Sequence, residues 1–197
     1  GVRSDDRGAR GNQSIAIGYL AGAISDYGTA LGASAEANEY STALGTSTTA
    51  SSTYSTAIGN NANASNTDAV AIGSRGVTAS GESSVAIGSK ADAAITTASG
   101  SGSIAIGDGA VATGDWSVAL GTMTEAKGLN NVALGINACK GVTGSNKTCI
   151  GADSGPSSSE AQASDNSNVV YIGTTSSTVY IPCLLYTSPS PRDLSTS

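Results

Sequence analysis

A short run of alternating positions recurs along the chain. Eleven times a β-branched residue, then usually Ala, then Ile or Leu stands directly before a glycine, as in Val85-Ala86-Ile87-Gly88. Successive glycines lie 13 to 22 residues apart, most often 14. A fixed period marks one small unit stacked on copies of itself, and fourteen residues hold two short strands and two turns. The repeat glycines are Gly18, Gly32, Gly45, Gly59, Gly73, Gly88, Gly107, Gly121, Gly135, Gly151 and Gly173.

The alternation also predicts which side chains share a face. Neighbouring side chains of a strand point to opposite faces, so the positions one and three before the glycine lie together and the Ala column points the other way. After the glycine, the third and fifth positions are small, as in Ala35 and Ala37, with polar Glu36 between them. This alternation is typical of a second strand with one face in water.

We therefore expect an all-β fold, a parallel β-roll of about ten 14-residue rungs. Equivalent strands stacked about 4.8 Å apart would rise roughly 45 to 50 Å. We expect the Ile/Leu and Val/Thr columns to fill the interior and the Ala column to lie outside. The repeat glycine is expected to adopt positive φ or to permit a tight turn that a Cβ would resist.

The outer Ala column suggests an oligomer. A roll this thin buries little apolar area for the number of residues that it orders, so it is expected to be marginal alone. The column is Ala in nine of eleven copies, and the most economical cover for it is a second copy of the same surface. The alternative is that Ala merely suits a tight strand crossing.

The motif Ser84-Val85-Ala86-Ile87-Gly88, with small residues three and five positions after the glycine in most copies, resembles the head repeat of YadA-like trimeric autotransporter adhesins. The resemblance covers residues 12–152. It implies a left-handed roll, a homotrimer, and a head on the bacterial outer membrane that binds a host matrix protein, a glycan or other cells. Similar repeats occur in phage and viral fibres, so the alternative is a structural fibre segment whose recognition module is missing.

Composition divides the chain into four segments. The first residue is Gly1, so we expect residues 1–11 to be a truncated amino-terminal segment, followed by the repeat array at 12–152 and a terminal cap or transition at 153–182. Residues 183–197 resemble a translated sequencing adapter and are left out of the fold prediction. The stretch from Thr96 to Gly102, within the longer gap between Gly88 and Gly107, predicts a surface loop.

Charge and residue usage narrow the function. The chain has no His, the commonest general base and metal ligand, which excludes catalytic triads that need His. Composition leaves a Ser-Lys dyad or a carboxylate pair open, but every Asp and Glu falls in a turn or outward column, where solvated charge is the ordinary explanation. We therefore expect no catalysis, no cofactor and no metal site. The net charge of −6 argues against a nucleic-acid partner. No run approaches the roughly 20 apolar residues of a membrane span, so we expect no direct membrane contact. Outward positions of mixed chemistry disfavour an ice- or mineral-binding lattice.

Two cysteines and a few aromatic residues leave alternatives open. Cys139 and Cys149 flank a lengthened repeat and could form a disulfide in an exterior protein. The period assigns them to opposite faces, however, which favours unpaired thiols. A group of aromatic residues is expected near the rung corners, either as contact residues for a partner or as residues that pack against the corners themselves. The group is Tyr19, Tyr27, Tyr40, Tyr54 and Trp116.

Overall fold

Each repeat forms one turn of a solenoid built from two short strands. The computed structural model describes residues 8–91, 94–142, 144–156 and 168–174. Much of the predicted terminal cap or transition at 153–182 and all of residues 183–197 lie outside them. The strands are β1 Ile15–Ile17, β2 Gly22–Ala23, β3 Thr29–Leu31, β4 Glu36–Ala37, β5 Thr42–Leu44, β6 Thr49–Ala50, β7 Thr56–Asn60, β8 Asn63–Ala64, β9 Val70–Ser74, β10 Thr78–Ala79, β11 Val85–Gly88, β12 Lys90–Ala91, β13 Ala94–Ile95, β14 Thr97–Ala98, β15 Ile104–Ile106, β16 Val111–Ala112, β17 Val118–Leu120, β18 Glu125–Ala126, β19 Val132–Leu134, β20 Thr148–Ile150 and β21 Val170–Ile172.

Two parallel sheets make up the roll. The first sheet has the order β1-β3-β5-β7-β9-β11-β15-β17-β19-β20-β21 and contains the residues before each repeat glycine. The second sheet has the order β18-β16-β14-β10-β8-β6-β4-β2. Neighbouring strands pair one repeat apart, so Ala43 lies opposite Ala57, and Ala57 opposite Ala71. The predicted all-β parallel β-roll is confirmed.

The interior is filled by alanine, which reverses the predicted assignment of faces. The Ala column of the first sheet has no exposed surface from Ala30 to Cys149, and the small columns of the second sheet face it. The Ile and Leu residues that precede the glycines point outward instead; Leu44, for example, is 39% exposed. The prediction that Ile/Leu and Val/Thr lie inside was therefore wrong.

The reason is the narrowness of the roll. Tight corners join the strands of each rung and draw the two sheets together, and the buried apolar side chains of the described residues are only Ala, Val or Cys. A close-packed interior has no room for a Leu side chain. Small hydroxyl residues also fit, since they bond to nearby carbonyls: Ser41 Oγ donates to Asn38 O at 2.9 Å and Ser84 Oγ to Gly81 O at 2.7 Å.

The repeat glycine is required for two separate reasons, as Gly59 shows. Its φ of 131° lies in a region that side-chain-bearing residues rarely adopt. A Cβ placed there would also lie 1.6 Å from the carbonyl oxygen of Gly73 on the next rung. The obstacle is backbone and cannot rotate away, so the column must be Gly for the rungs to stack this closely.

The inserted residues lie earlier than predicted. Lys90–Ala91 and Ala94–Ile95 pair as an antiparallel hairpin outside the two main sheets. Thr97–Ala98, expected in a surface loop, forms instead the second-sheet strand of this rung. The hydroxyl of buried Thr96 closes the hairpin base, because it lies 2.6 Å from Ser89 O and 2.7 Å from Gly107 O.

The two cysteines form a disulfide across the interior. Their Cα atoms lie 5.5 Å apart and both residues are fully buried. The assignment to opposite faces was wrong because Cys139 has a φ of 55°, so the chain turns there and the strand alternation no longer applies. Glu125 anchors the same loop, since its carboxylate accepts a 2.8 Å hydrogen bond from Gly141 N.

An enlarged interior side chain tests the reversed faces. We expect Ala57→Leu to lower the free energy of unfolding by about 1 to 3 kcal/mol or more, because Ala57 is fully buried in a narrow core. Ala152→Leu, at an exposed position, is the matched control and should change it little. Thermal unfolding followed by circular dichroism measures both. Equal tolerance of the two changes would contradict an alanine-filled interior.

A second pair of substitutions separates backbone strain from collision. Gly8 and Gly59 share a φ of 131°, but an added Cβ at Gly8 meets no described atom within 4 Å. We expect Gly8→Ala to cost about 1 to 2 kcal/mol through conformation alone. Gly59→Ala should cost clearly more, since the carbonyl collision is added. Denaturant titration gives both values, and similar losses would show that the close approach of rungs is not limiting.

Candidate interaction surface

The outward face of the first sheet is an apolar strip. It consists of the positions one and three before each glycine, and it runs across eleven strands, a length of about 48 Å. Ile17 is 59% exposed and Ile150 is 40% exposed. The large aliphatic members of the strip are Ile17, Leu31, Leu44, Ile58, Ile72, Ile87, Ile106, Leu120, Leu134, Ile150 and Ile172. An apolar surface this continuous is characteristic of a protein–protein contact rather than of a surface facing water.

The outward face of the second sheet has a different character. The side chains that alternate with its buried alanines are polar or charged in most rungs, as at Glu36, Asn63 and Glu125. Lys127 Nζ forms a 2.8 Å ion pair with the Glu125 carboxylate. Burial opposes ionisation of Glu125, but hydrogen bonds from Lys127 and Gly141 N outweigh it and lower the pKa of this carboxyl. The two outer faces of the roll therefore differ in chemistry, one apolar and one hydrated.

Three tyrosines stack at one corner of the roll, and we call them the tyrosine ladder. The ring centroids of Tyr27 and Tyr40 are 4.7 Å apart, and those of Tyr40 and Tyr54 are 5.2 Å apart. Interplanar angles of 8° and 24° make both contacts stacked. The corner packing weighed for these residues is thus what the structure has, but the rings also remain exposed, Tyr54 by 56%.

The ladder occupies a backbone position that does not favour aromatic residues. Every described residue five before a repeat glycine has a φ between 51° and 67°. This left-handed region costs an ordinary residue roughly 1 to 2 kcal/mol but suits Asn and Gly, as at Asn130 and Gly102. Each stacked pair of rings contributes about 0.5 to 1.5 kcal/mol to the stability of the fold. Stability alone therefore does not favour Tyr here.

A polar cleft opens beside the ladder, and we call it the corner cleft. It has a volume of about 240 Å³ and is lined by Ser25, Asn38, Glu39, Ser51, Ser52 and Thr53. These residues belong to the three corner loops that end in the ladder tyrosines. Backbone hydrogen bonds hold the loops in register, from Tyr40 N to Asp26 O at 3.0 Å and from Tyr54 N to Glu39 O at 3.3 Å.

Burial and neighbouring charge at this corner act on the pKa of Tyr40. Desolvation, followed by the neighbouring Tyr27 and Tyr54 hydroxyls and the Glu39 and Asp26 carboxylates, raises the pKa of Tyr40 above its usual value. The phenol is therefore a neutral hydrogen-bonding group at physiological pH.

The repeat glycines and the two cysteines, which the sequence analysis identified, lie at positions that shape the fold. The ten repeat glycines from Gly18 to Gly151 lie in the last two positions of a first-sheet strand or directly after one, with φ between 111° and 155°, and Cys139 and Cys149 lie in the core. Sequence reasoning missed the tyrosine ladder as a unit. The signal was present, because the tyrosines stand five residues before three successive glycines, Gly32, Gly45 and Gly59.

Two further features are absent from the part of the chain that the structure describes. Within it, no group of three or more His, Cys, Asp or Glu side chains could hold a metal ion. The same residues include no helix that is long and apolar enough to cross a membrane.

Comparison with known families agrees with the repeat geometry. A model described as the YadA head domain repeat (2 copies) matches residues 9–35, 37–62, 50–75, 78–94, 98–122 and 117–138. A search of curated proteins finds no match. The matched segments cover more than half of the 197 residues and follow the two-strand rungs of the roll. The chain belongs to the YadA head domain repeat family.

Proposed function

We propose that this chain is the head of a trimeric adhesin on a bacterial surface, and that it binds host matrix protein, glycan or other cells without catalysis. The observation that carries the proposal is the apolar strip on the first sheet. A single chain leaves this strip in water along its full length, although its interior is complete. The family is one of surface-exposed adhesins with homotrimeric heads, which supports a trimer as the cover.

The trimer would orient the remaining surfaces. With the three strips facing one another along a common axis, the hydrated second sheets and the rung corners face outward. Each weak contact to a partner is then present in three copies and in several rungs. Multivalent attachment can exceed the single-contact affinity by roughly 10²- to 10⁴-fold, which suits adhesion through many similar weak sites.

A charge placed within the strip tests the assembly. We expect Leu44→Asp combined with Leu120→Asp to convert a trimer to a monomer, because burying unpaired carboxylates costs about 3 to 5 kcal/mol each. Thr49→Asp, in the second sheet, combined with Thr113→Asp, directly after β16, adds the same charge outside the strip and should leave the trimer intact. Light scattering coupled to size-exclusion chromatography gives the masses. A monomeric wild-type chain would overturn the trimer.

Adhesion is measured on the same proteins. Wild type should bind cultured epithelial cells or immobilised matrix proteins, and the monomeric variant should bind at least tenfold more weakly through loss of valency. A trimer that binds none of these preparations would overturn the adhesin assignment. It would favour the alternative of a fibre segment that supplies length.

A further inference from the structure

The corner with the tyrosine ladder differs from the other corners of the roll. The same position carries Asp68, Asn130 and Asn146 in other rungs, residues that accept the left-handed backbone readily. Three successive rungs carry aromatic rings there instead. Aromatic side chains that are exposed, stacked and held at a strained backbone position point to a role at the surface.

The ladder and the corner cleft are built from the same loops. Glu39 and Thr53, which line the cleft, directly precede Tyr40 and Tyr54 in the chain. The stacked rings and a cleft lined by a carboxylate, an amide and several hydroxyls therefore belong to the same three corner loops. The parallel ladder fixes this arrangement, since each corner loop is hydrogen-bonded to the loop of the preceding rung.

We propose that the tyrosine ladder and the corner cleft form a binding site for an uncharged glycan. The C–H face of one sugar ring would stack on Tyr54 at the end of the ladder, where the next residue of the column is Asp68 rather than another ring. A second sugar of the same glycan would lie over the corner cleft, whose lining residues belong to the rungs on the other side of the Tyr54 ring. The Glu39 carboxylate accepts hydrogen bonds from sugar hydroxyls, and such charge-assisted bonds are the stronger kind. Serine and threonine hydroxyls of the cleft both donate and accept.

Charge selects the class of glycan. The Asp26 and Glu39 carboxylates flank the ladder, and the chain as a whole carries a net charge of −6. A sialylated or sulfated sugar would meet like charge on approach. A neutral hexose or N-acetylhexosamine end group meets none. This inference rests on the proposed adhesin function and assigns one ligand class to one corner.

The test replaces the ladder with the residue that the chain itself uses in the same column. We expect Tyr27→Asn, Tyr40→Asn and Tyr54→Asn together to fold normally, because Asn130 and Asn146 adopt the same φ of about 55°. Binding of the full chain to an array of neutral hexose- and N-acetylhexosamine-terminated oligosaccharides should fall at least tenfold. Tyr19→Asn, an exposed tyrosine outside the ladder, is the matched control and should bind as wild type.

Two further variants separate the parts of the site. Tyr54→Trp should retain binding, since Trp116 already occupies this column and keeps an aromatic face. Glu39→Gln should weaken binding several-fold while the tyrosine stack remains. Both should unfold at the wild-type temperature, so a loss of binding in Glu39→Gln reports on the cleft itself.

The outcomes are distinguishable from those of the adhesion assay. Neutral-glycan binding that is lost in the triple Asn variant and retained in Tyr54→Trp would support the site. Wild type that adheres to cells but binds no neutral glycan, prefers sialylated glycans, or binds equally without the ladder would overturn it and leave the adhesin assignment standing. Wild type that binds neither cells nor glycans would overturn both.

Discussion

The narrow space between the two sheets is the constraint on which the rest of the molecule depends. Because only small side chains fit inside, the interior position is Ala in nine of the eleven first-sheet strands, and the larger Ile, Leu and Val of these strands face outward. Stacking at sheet spacing then brings the repeat glycines from Gly18 to Gly135 against the carbonyl of the next, as at Gly59 and Gly73. Core, outer face and glycine column are thus three consequences of one thin cross-section.

In a thin roll, the interior side chains contribute less to stability than the outward ones could. Alanine burial contributes little per residue, while the outward aliphatic side chains, which would contribute most, gain nothing until they are covered. Folding and association are therefore expected to be coupled in this architecture. The oligomer was first suggested by the Ala column, and that reasoning fails because Ala is internal. The exposed strip supports an oligomer instead, through different residues and a larger apolar surface.

Repeat length, strand positions and register could be predicted from the sequence because all three depend on period alone. The period alone could not predict which face of each strand lies inside. The alternation of side chains along a strand shows that Ala86 and Ile87 point in opposite directions. Both are apolar, so only the width of the roll decides which of the two lies inside. Period counting also failed where the chain leaves the strand, at Cys139 with its positive φ. In the long rung, small residues at Ala91 and at Thr96 and Ala98 fit the second-strand pattern equally well, and hairpin pairing decided between them.

The corners show how such a fold can acquire recognition without changing its core. Interior columns accept only small residues, and the strip would be required for packing between chains in the proposed trimer, so variation is tolerated mainly at the corners and on the second sheet. The column five before the glycine illustrates this freedom, since it holds Tyr, Trp, Asp, Ser, Gln, Gly and Asn on one unchanged backbone conformation. A run of tyrosines in that column was visible in the sequence, but the stacking of the rings and the neighbouring cleft required the geometry of the corner loops. Since every rung repeats that corner, a binding feature that arises in one rung can extend to its neighbours by single substitutions, and the tyrosine ladder has the form that such an extension would take.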